Sequence, residues 1–339
     1  MALIKLNNRS SEDNAIHGRR NLIINGGFDV WQRGTTFSQD TLNANRIYTA
    51  DRWIFARNGT DKNCTATQVS GDLSQYAIKA QRDSGDTNDG VISISQFFET
   101  KDVIKLRGKN LVAKVRVKVG ANYTGGDIKT QFATTSASES AFTKNSAGSI
   151  GSGNADYVSN SVSFTPTTSF ADYTVDLGSV ASTANVAMVR ISYDSTTTGT
   201  AGADDSFTVD AVQLEIGTTA TPFEHLSFGE ELSLCERYFQ IGGHCTGRSY
   251  SNTQAECYYG FRTEMRVAPS VSMRGSGNAV SYDTGQGHVS GVSSYDLTAV
   301  VASQPNPTGT VFRTTTSGNW GGGNIIGLRG NIANMDAEL

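Results

Sequence analysis

Apolar residues recur at every second position along much of this chain. Val91-Ile-Ser-Ile-Ser-Gln-Phe97 alternates, and Leu111-Val-Ala-Lys-Val-Arg-Val-Lys-Val119 alternates with lysine or arginine on the opposite face. The same period runs through Tyr157–Phe164, Tyr173–Leu177, Val186–Tyr193 and Phe207–Leu214. A period of two sends successive side chains to opposite faces, so each run predicts a half-buried β-strand. Leu22-Ile-Ile24 reads as a further strand, ended by the turn signal Asn25-Gly26-Gly27. Loops rich in Gly, Asp, Ser and Thr separate the runs, and no helical period lies between them. Strands at this spacing predict an antiparallel sandwich or jelly roll.

One segment breaks the pattern. Ser227-Phe-Gly-Glu230 has the form of a capping box, and Leu232, Cys235 and Phe239 follow at roughly helical spacing up to Gly242-Gly243. A short helix is therefore expected over 229–240, with a domain boundary near Phe228. Beyond it, Ala255–Thr263, Val271–Arg274, Ala279–Tyr282, Thr298–Ala302, Val311–Thr316 and Ile325–Leu328 are strand candidates, and 241–339 reads as a smaller C-terminal β-sandwich. Thr134–Gly153, mostly Ser, Thr, Ala and Gly, reads as a long surface loop or weak edge hairpin. Residues 1–20 contain an unbroken polar run, Asn7–Asn14, and read as an arm outside the core. The fold expected is all-β: N-terminal arm, jelly-roll β-sandwich, short linking helix, smaller C-terminal β-sandwich.

Composition narrows the function more than the fold. Of 339 residues only 18% are charged and 36 are glycine, which suits strands and turns and argues against long amphipathic helices. A net charge of −4 provides no general field for nucleic acid or anionic lipid. No run approaches the ~18 apolar residues of a membrane span, so neither nucleic acid nor membrane insertion is expected. The four cysteines, Cys64, Cys235, Cys245 and Cys257, form no C-x-x-C pair. Cys245 and Cys257 can face each other across a hairpin, although unpaired buried thiols, made and kept reduced in a cytoplasm, are the simpler expectation.

Catalytic signatures are missing: there is no G-x-S-x-G elbow, P-loop or dinucleotide fingerprint. The four histidines, His17, His225, His244 and His288, share no zinc-ligand spacing, and His244-Cys245 with Cys257 is a poor cluster. Glu99, Asp102, Asp172, Asp176 and Glu215 are acidic residues that a fold could pair for glycoside chemistry, but each reads more simply as an outward strand or turn residue. Asp83, Asp86 and Asp89 in one loop and Asp204-Asp205 in another are oxygen-rich enough for calcium, though without the spacing of a dedicated loop. Trp31 and Trp53 read as core anchors. Tyr250, Tyr258, Tyr259 and Trp320 lie among Gly and Asn in the C-terminal block and are the candidate glycan contacts, because a ring beside amides suits the apolar face and hydroxyls of a sugar.

The stretch Asn21-Leu-Ile-Ile-Asn-Gly-Gly-Phe-Asp-Val-Trp-Gln-Arg-Gly34, with Ala50-Asp-Arg-Trp53, resembles a family of tailed-bacteriophage virion proteins of the tail-fibre type. Val209–Gly217, Thr221-Pro-Phe-Glu-His225, Gly229–Phe239 and the final Asp336-Ala-Glu-Leu339 fit the same pattern. The segments around Asn21–Phe28 and Phe207–Glu215 are also similar to the first and last strands of carbohydrate-binding-module jelly rolls. The resemblance implies a jelly roll over 21–228, a homotrimer, and a place on the particle surface after assembly in the bacterial host cytoplasm. It also implies a possible structural calcium near Asp29 and Asp210; no other cofactor is required. Lys5, Arg9, Arg19 and Arg20 would let the arm dock on other virion proteins. Unlike many tail fibres, the chain carries only a short arm before its first sandwich.

Taken together, the sequence predicts a non-enzymatic virion surface protein, first a tail fibre or receptor-binding protein that meets host surface polysaccharide. A capsid decoration (cement) or head-fibre protein that stabilises the shell is the alternative. A polysaccharide depolymerase is a third.

Overall fold

The structure is a computed structural model that describes residues 19–39, 46–58, 63–87, 90–193, 199–242, 245–274, 283–284, 297–316, 325–328 and 333–339. It divides into two units, residues 1–231 with Leu339, and residues 232–338.

The first unit carries strands β1 (Thr36–Gln39), β2 (Arg46–Tyr48), β3 (Ile54–Arg57), β4 (Cys64–Ser70), β5 (Tyr76–Arg82) and β6 (Ile92–Phe98). After a helical turn, α1 (Thr100–Val103), follow β7 (Asn110–Val119), β8 (Ile128–Thr135), β9 (Val158–Phe164), β10 (Ala171–Ser179), β11 (Val186–Tyr193) and β12 (Ser206–Ile216). They form two six-stranded sheets in the orders β1-β4-β5-β12-β7-β10 and β2-β3-β6-β11-β8-β9. All described pairings are antiparallel, which is the sandwich expected from the alternation. The inward half of each alternating run, including Phe55, Ile94, Val115, Val117, Val189, Ile191, Phe207 and Leu214, closes one core with Trp53.

Part of the outer face of the second sheet is covered as well. Ile54, Phe97, Ala133 and Met188 pack under Ile150 of the 136–157 segment. Ser93 Oγ and Ser95 Oγ hold the carbonyls of Ala147 and Gly148, each at 2.7 Å. The stretch expected as a surface loop thus serves as a lid on the sheet, because a few apolar residues and paired carbonyls suffice where the sheet supplies the other half.

Leu22–Ile24 is not a strand. Asn21 Oδ1 accepts the amides of Ile23 and Leu214, and Gln96 takes both the amide and the carbonyl of Ile24. Side chains satisfy backbone groups that a ladder would otherwise pair.

Helix α2 (Phe228–Glu236) starts at the capping box: Ser227 Oγ lies 2.7 Å from Glu230 Oε2, and Glu230 N lies 3.4 Å from Ser227 Oγ. It ends before Phe239, whose helical spacing was misleading; Phe239 opens a strand paired with Asp336. The second unit contains β13 (Phe239–Gly242), β14 (Cys245–Ser249), β15 (Gln254–Gly260), β16 (Ser270–Met273), β17 (Asp283–Thr284), β18 (Leu297–Asn306), β19 (Gly309–Thr316), β20 (Ile325–Leu328) and β21 (Ala333–Asp336). A three-stranded sheet, β13-β21-β16, and a six-stranded sheet, β17-β20-β14-β15-β19-β18, share a core of Ala255, Cys257, Tyr259, Val300, Phe312 and Met335. The strand expected over 279–282 lies outside the described residues.

Candidate functional site

The segments that carry the virion-protein resemblance form a structural knot. Asn25 adopts φ 56°, and its side chain bonds the carbonyls of Val30 and Asp51 and the amide of Val30. Its own carbonyl accepts the Trp53 indole at 2.9 Å. Asp51, wholly buried, accepts from Gln32 N and lies near Arg33. At the other end Glu224 accepts the amides of Arg20 and Asn21, while Glu215 accepts from the Thr221 hydroxyl. Gln213 Oε1 takes the Glu224 amide. These residues fix the chain's entry to and exit from the sandwich, leaving them unavailable to a ligand.

Arg20, expected as a docking residue, belongs to that knot through Glu224 and Thr221. Arg19 faces Glu231, whose carboxyl is raised by burial against the pull of the Asn25 amide and Arg19. Lys5 and Arg9 lie outside the described residues.

Asp86 and Asp205 of the acidic loops are neutralised internally. Arg57 reaches Asp86 at 2.7 Å and Arg82 reaches Asp205 at 2.9 Å, all four side chains fully buried. Asp204 is bound by Lys79 at 2.7 Å; partial burial pushes its carboxyl up, but Lys79 and Ser206 outweigh that and hold it below the ordinary value. Among the acids considered for catalysis, Glu99 and Asp102 pair with Lys101 and Lys105, and Asp172 with Lys114 and Arg116. Asp176 caps the Gly178 amide. Asp89 lies outside the described residues.

Asp29 and Asp210 do approach each other. Asp210 is the extra residue of a bulge in β12, which re-aims its side chain onto the 72–74 turn. There it accepts the amides of Asp72, Leu73 and Ser74 at 3.1, 2.7 and 3.3 Å. Gly71 is required beside it, since a Cβ would come within 2.4 Å of Asp210 Oδ1. Asp29 Oδ1 and Ser74 Oγ are enclosed without partners. Burial raises the Asp29 carboxyl, with His225 opposing and Asp210 reinforcing. Calcium takes 6–8 oxygens; here Asp29 and Ser74 offer the free side-chain oxygens, and Asp210 is already engaged by amides. Among the described residues no group of three or more His, Cys, Asp or Glu assembles to hold a metal. These side chains do not complete a calcium shell.

Among the described residues, two open surfaces stand out. On the first sheet a groove of about 370 Å³ is lined by Ser70, Lys79, Lys118, Asp204, Ser206 and Thr208. On the six-stranded sheet of the second unit, Tyr258 is 63% exposed and Tyr250 48%. Between them β14, β15, β19 and β18 align Arg248, Glu256, Arg313 and Val301 in one row. Arg313 bonds Glu256 at 2.7 Å and lies 5.8 Å from the Tyr250 ring centre. Tyr250 N bonds Gln254 O, so the two exposed rings sit four residues apart along the sheet, roughly 13 Å at a strand's rise. Tyr259 is not part of this face: only 8% exposed, it stacks on Phe312 at 5.3 Å in the core. Adjacent strand residues face opposite ways, so Tyr258 and Tyr259 could not both be contacts. Trp320 lies outside the described residues.

No protein-family model matches this sequence, and no curated protein matches it. Solved structures with a similar chain course include β-sandwich carbohydrate-binding modules described as promiscuous in specificity, at 10% identity and TM-score 0.33. That match covers 52% of this chain and 61% of theirs, so the chain spans under two thirds of that relative's length. TmCBM61 in complex with β-1,4-galactotriose is 12% identical with TM-score 0.31, over 59% of this chain and all of the module. The enzymatically active domain of bacteriophage CBA120 tailspike protein 4 is also 12% identical, with TM-score 0.32, over 52% of this chain and 21% of that one.

Proposed function

We propose that this chain is a non-catalytic surface protein of a tailed-bacteriophage particle, a tail fibre or receptor-binding protein that holds host surface polysaccharide. The observation that carries the reading is the tyrosine face of the second unit. Tyr258 of β15 and Tyr250 in the bend after β14 are both exposed, separated by a row that holds the Arg313–Glu256 pair. Large rings left open beside a row of paired charges suit a ligand with both apolar faces and hydroxyls, which describes a glycan. The non-catalytic assignment draws support from the acids considered for hydrolysis, which are engaged by cations or amides. The virion assignment draws on the resemblance of the knot segments. In a homotrimer, weak sites engaged together would raise avidity by about 10²–10⁴.

The test is binding of the labelled full chain to host cells and to extracted surface polysaccharide. The reading requires both to saturate and both to be lost in the Tyr250→Ala/Tyr258→Ala double variant. Undiminished binding by that variant would overturn the assigned face. Antibody-gold microscopy of intact particles places the protein: label on tails supports adhesion, and label on heads overturns it in favour of a decoration role.

A further inference from the structure

On the outer face of the second sheet, the register sets Arg190 of β11 between Ser95 of β6 and Gln131 of β8, with Ser161 of β9 beyond. Arg190 Nε is enclosed and makes no hydrogen bond. Its Nη1 reaches Gln131 Oε1 at 3.4 Å, a long and weak contact. Two residues along the same face, Ser192 Oγ is likewise enclosed without a partner. Burial pushes the Arg190 guanidinium down to about 10, and no carboxylate opposes this; Tyr157 alone acts in the other direction.

The fully buried Arg57 and Arg82 differ from the half-buried Arg190 in one respect. Arg57 and Arg82 each meet an aspartate, as enclosed cations generally do. Arg190 has no built-in anion among the described residues. The site around it is also shaped. Ser95 is tied to Gly148 of the lid, which makes a fixed wall on one side. On the other side Ser159, Ser161 and Ser163 of β9 are exposed. Lys129 is paired in register with Ser192.

We propose that Arg190 and Ser192 form a binding site for the carboxylate of an acidic sugar. A guanidinium presents two parallel N–H donors that match a planar carboxylate, and the serine rim suits the sugar hydroxyls. The ligand class rests on the glycan reading above, but the site lies in the other unit and shares no residue with the tyrosine face.

The experiment follows the Arg190 Nε–H resonance in proton–nitrogen spectra of the full chain, assigned by its loss in Arg190→Lys. The probes are D-glucuronate, D-glucose and inorganic sulfate. Glucuronate is expected to move the resonance saturably, glucose not to move it, and sulfate to bind at least tenfold more weakly. A resonance that glucuronate leaves unmoved, or that glucose moves equally, overturns the proposal. Sulfate binding as tightly as glucuronate overturns the carboxylate assignment. Arg190→Gln is expected to fold with an undiminished melting temperature and to lose glucuronate binding; a variant that fails to fold would show the guanidinium to be structural and also overturn it. Cell binding measured in parallel separates the two readings: a chain that adheres to cells but ignores glucuronate sinks this site alone.

Discussion

Arg82 Nη1 lies 2.9 Å from Asp205 Oδ2, with both side chains fully buried beneath loops that looked acidic enough to hold a cation. Thr124 adds its amide and hydroxyl to the same carboxylate, at 2.9 and 2.6 Å. Removing one member of such a pair strands the other without solvent. Asp205→Ala is expected to cost about 3–5 kcal/mol in urea unfolding. Replacing both Arg82 and Asp205 with leucine should cost less than Asp205→Ala alone, since neither member is then left buried without the other, while Arg57 still pairs with Asp86.

Asp29 yields a pH prediction. Its folded carboxyl is raised above the ordinary 3.8, first by burial and then by Asp210, with His225 and two backbone amides opposing. The folded chain therefore holds this proton more tightly than the unfolded chain does. Stability from this group is full below the ordinary value, falls as pH rises through the folded value, and stays reduced above it. Asp29→Asn should melt higher than the parent at neutral pH, with the advantage vanishing in acid below about pH 4. A calcium chelator should leave both melting temperatures unchanged; a chelator-induced drop confined to the parent would restore Asp29 as a calcium ligand.

The Asn25 knot separates two physical terms. Asn25→Ala loses the side-chain bonds and also strains a left-handed backbone at φ 56°, whereas Asn25→Gly loses only the bonds. Both variants should be destabilised in chemical unfolding, with alanine worse than glycine by about 1 kcal/mol. Equal losses would mean that the turn relaxes.

Tyr258 offers the complementary case. Exposed at 63%, it should tolerate alanine within about 0.5 kcal/mol of stability. Tyr259→Ala, in the core against Phe312, should cost about 3–5 kcal/mol. Polysaccharide binding, measured at a temperature where both variants remain folded, should fall for Tyr258→Ala and hold for Tyr259→Ala.

Long alternating runs were readable without coordinates. Val186–Tyr193 is β11 to the residue, and Leu111–Val119 is β7 short of Asn110. The capping box at Ser227 marked the start of α2 for a local reason, because its bonds span three residues. The strands β1 to β5 were not anticipated; β1 to β3 span only three or four residues, and Cys64–Ser70 offers just Cys64, Ala66 and Val69 as apolar positions. Which of Tyr258 and Tyr259 is exposed could be told only by knowing which face of β15 is inward.

What the chain determined by itself is the all-β class, the strands with strict alternation and the helix start, since periodicity and capping act over a few residues. What only the tertiary structure decided is the fate of the polar groups. Asp86 and Asp205 became partners of Arg57 and Arg82, Asn21 and Gln96 replaced a strand pairing, and the half-buried Arg190 was left without an anion among the described residues. Partners such as Arg82 and Asp205 lie more than a hundred residues apart, and in a low-dielectric interior a charge's role is set by which opposite charge the fold brings to it.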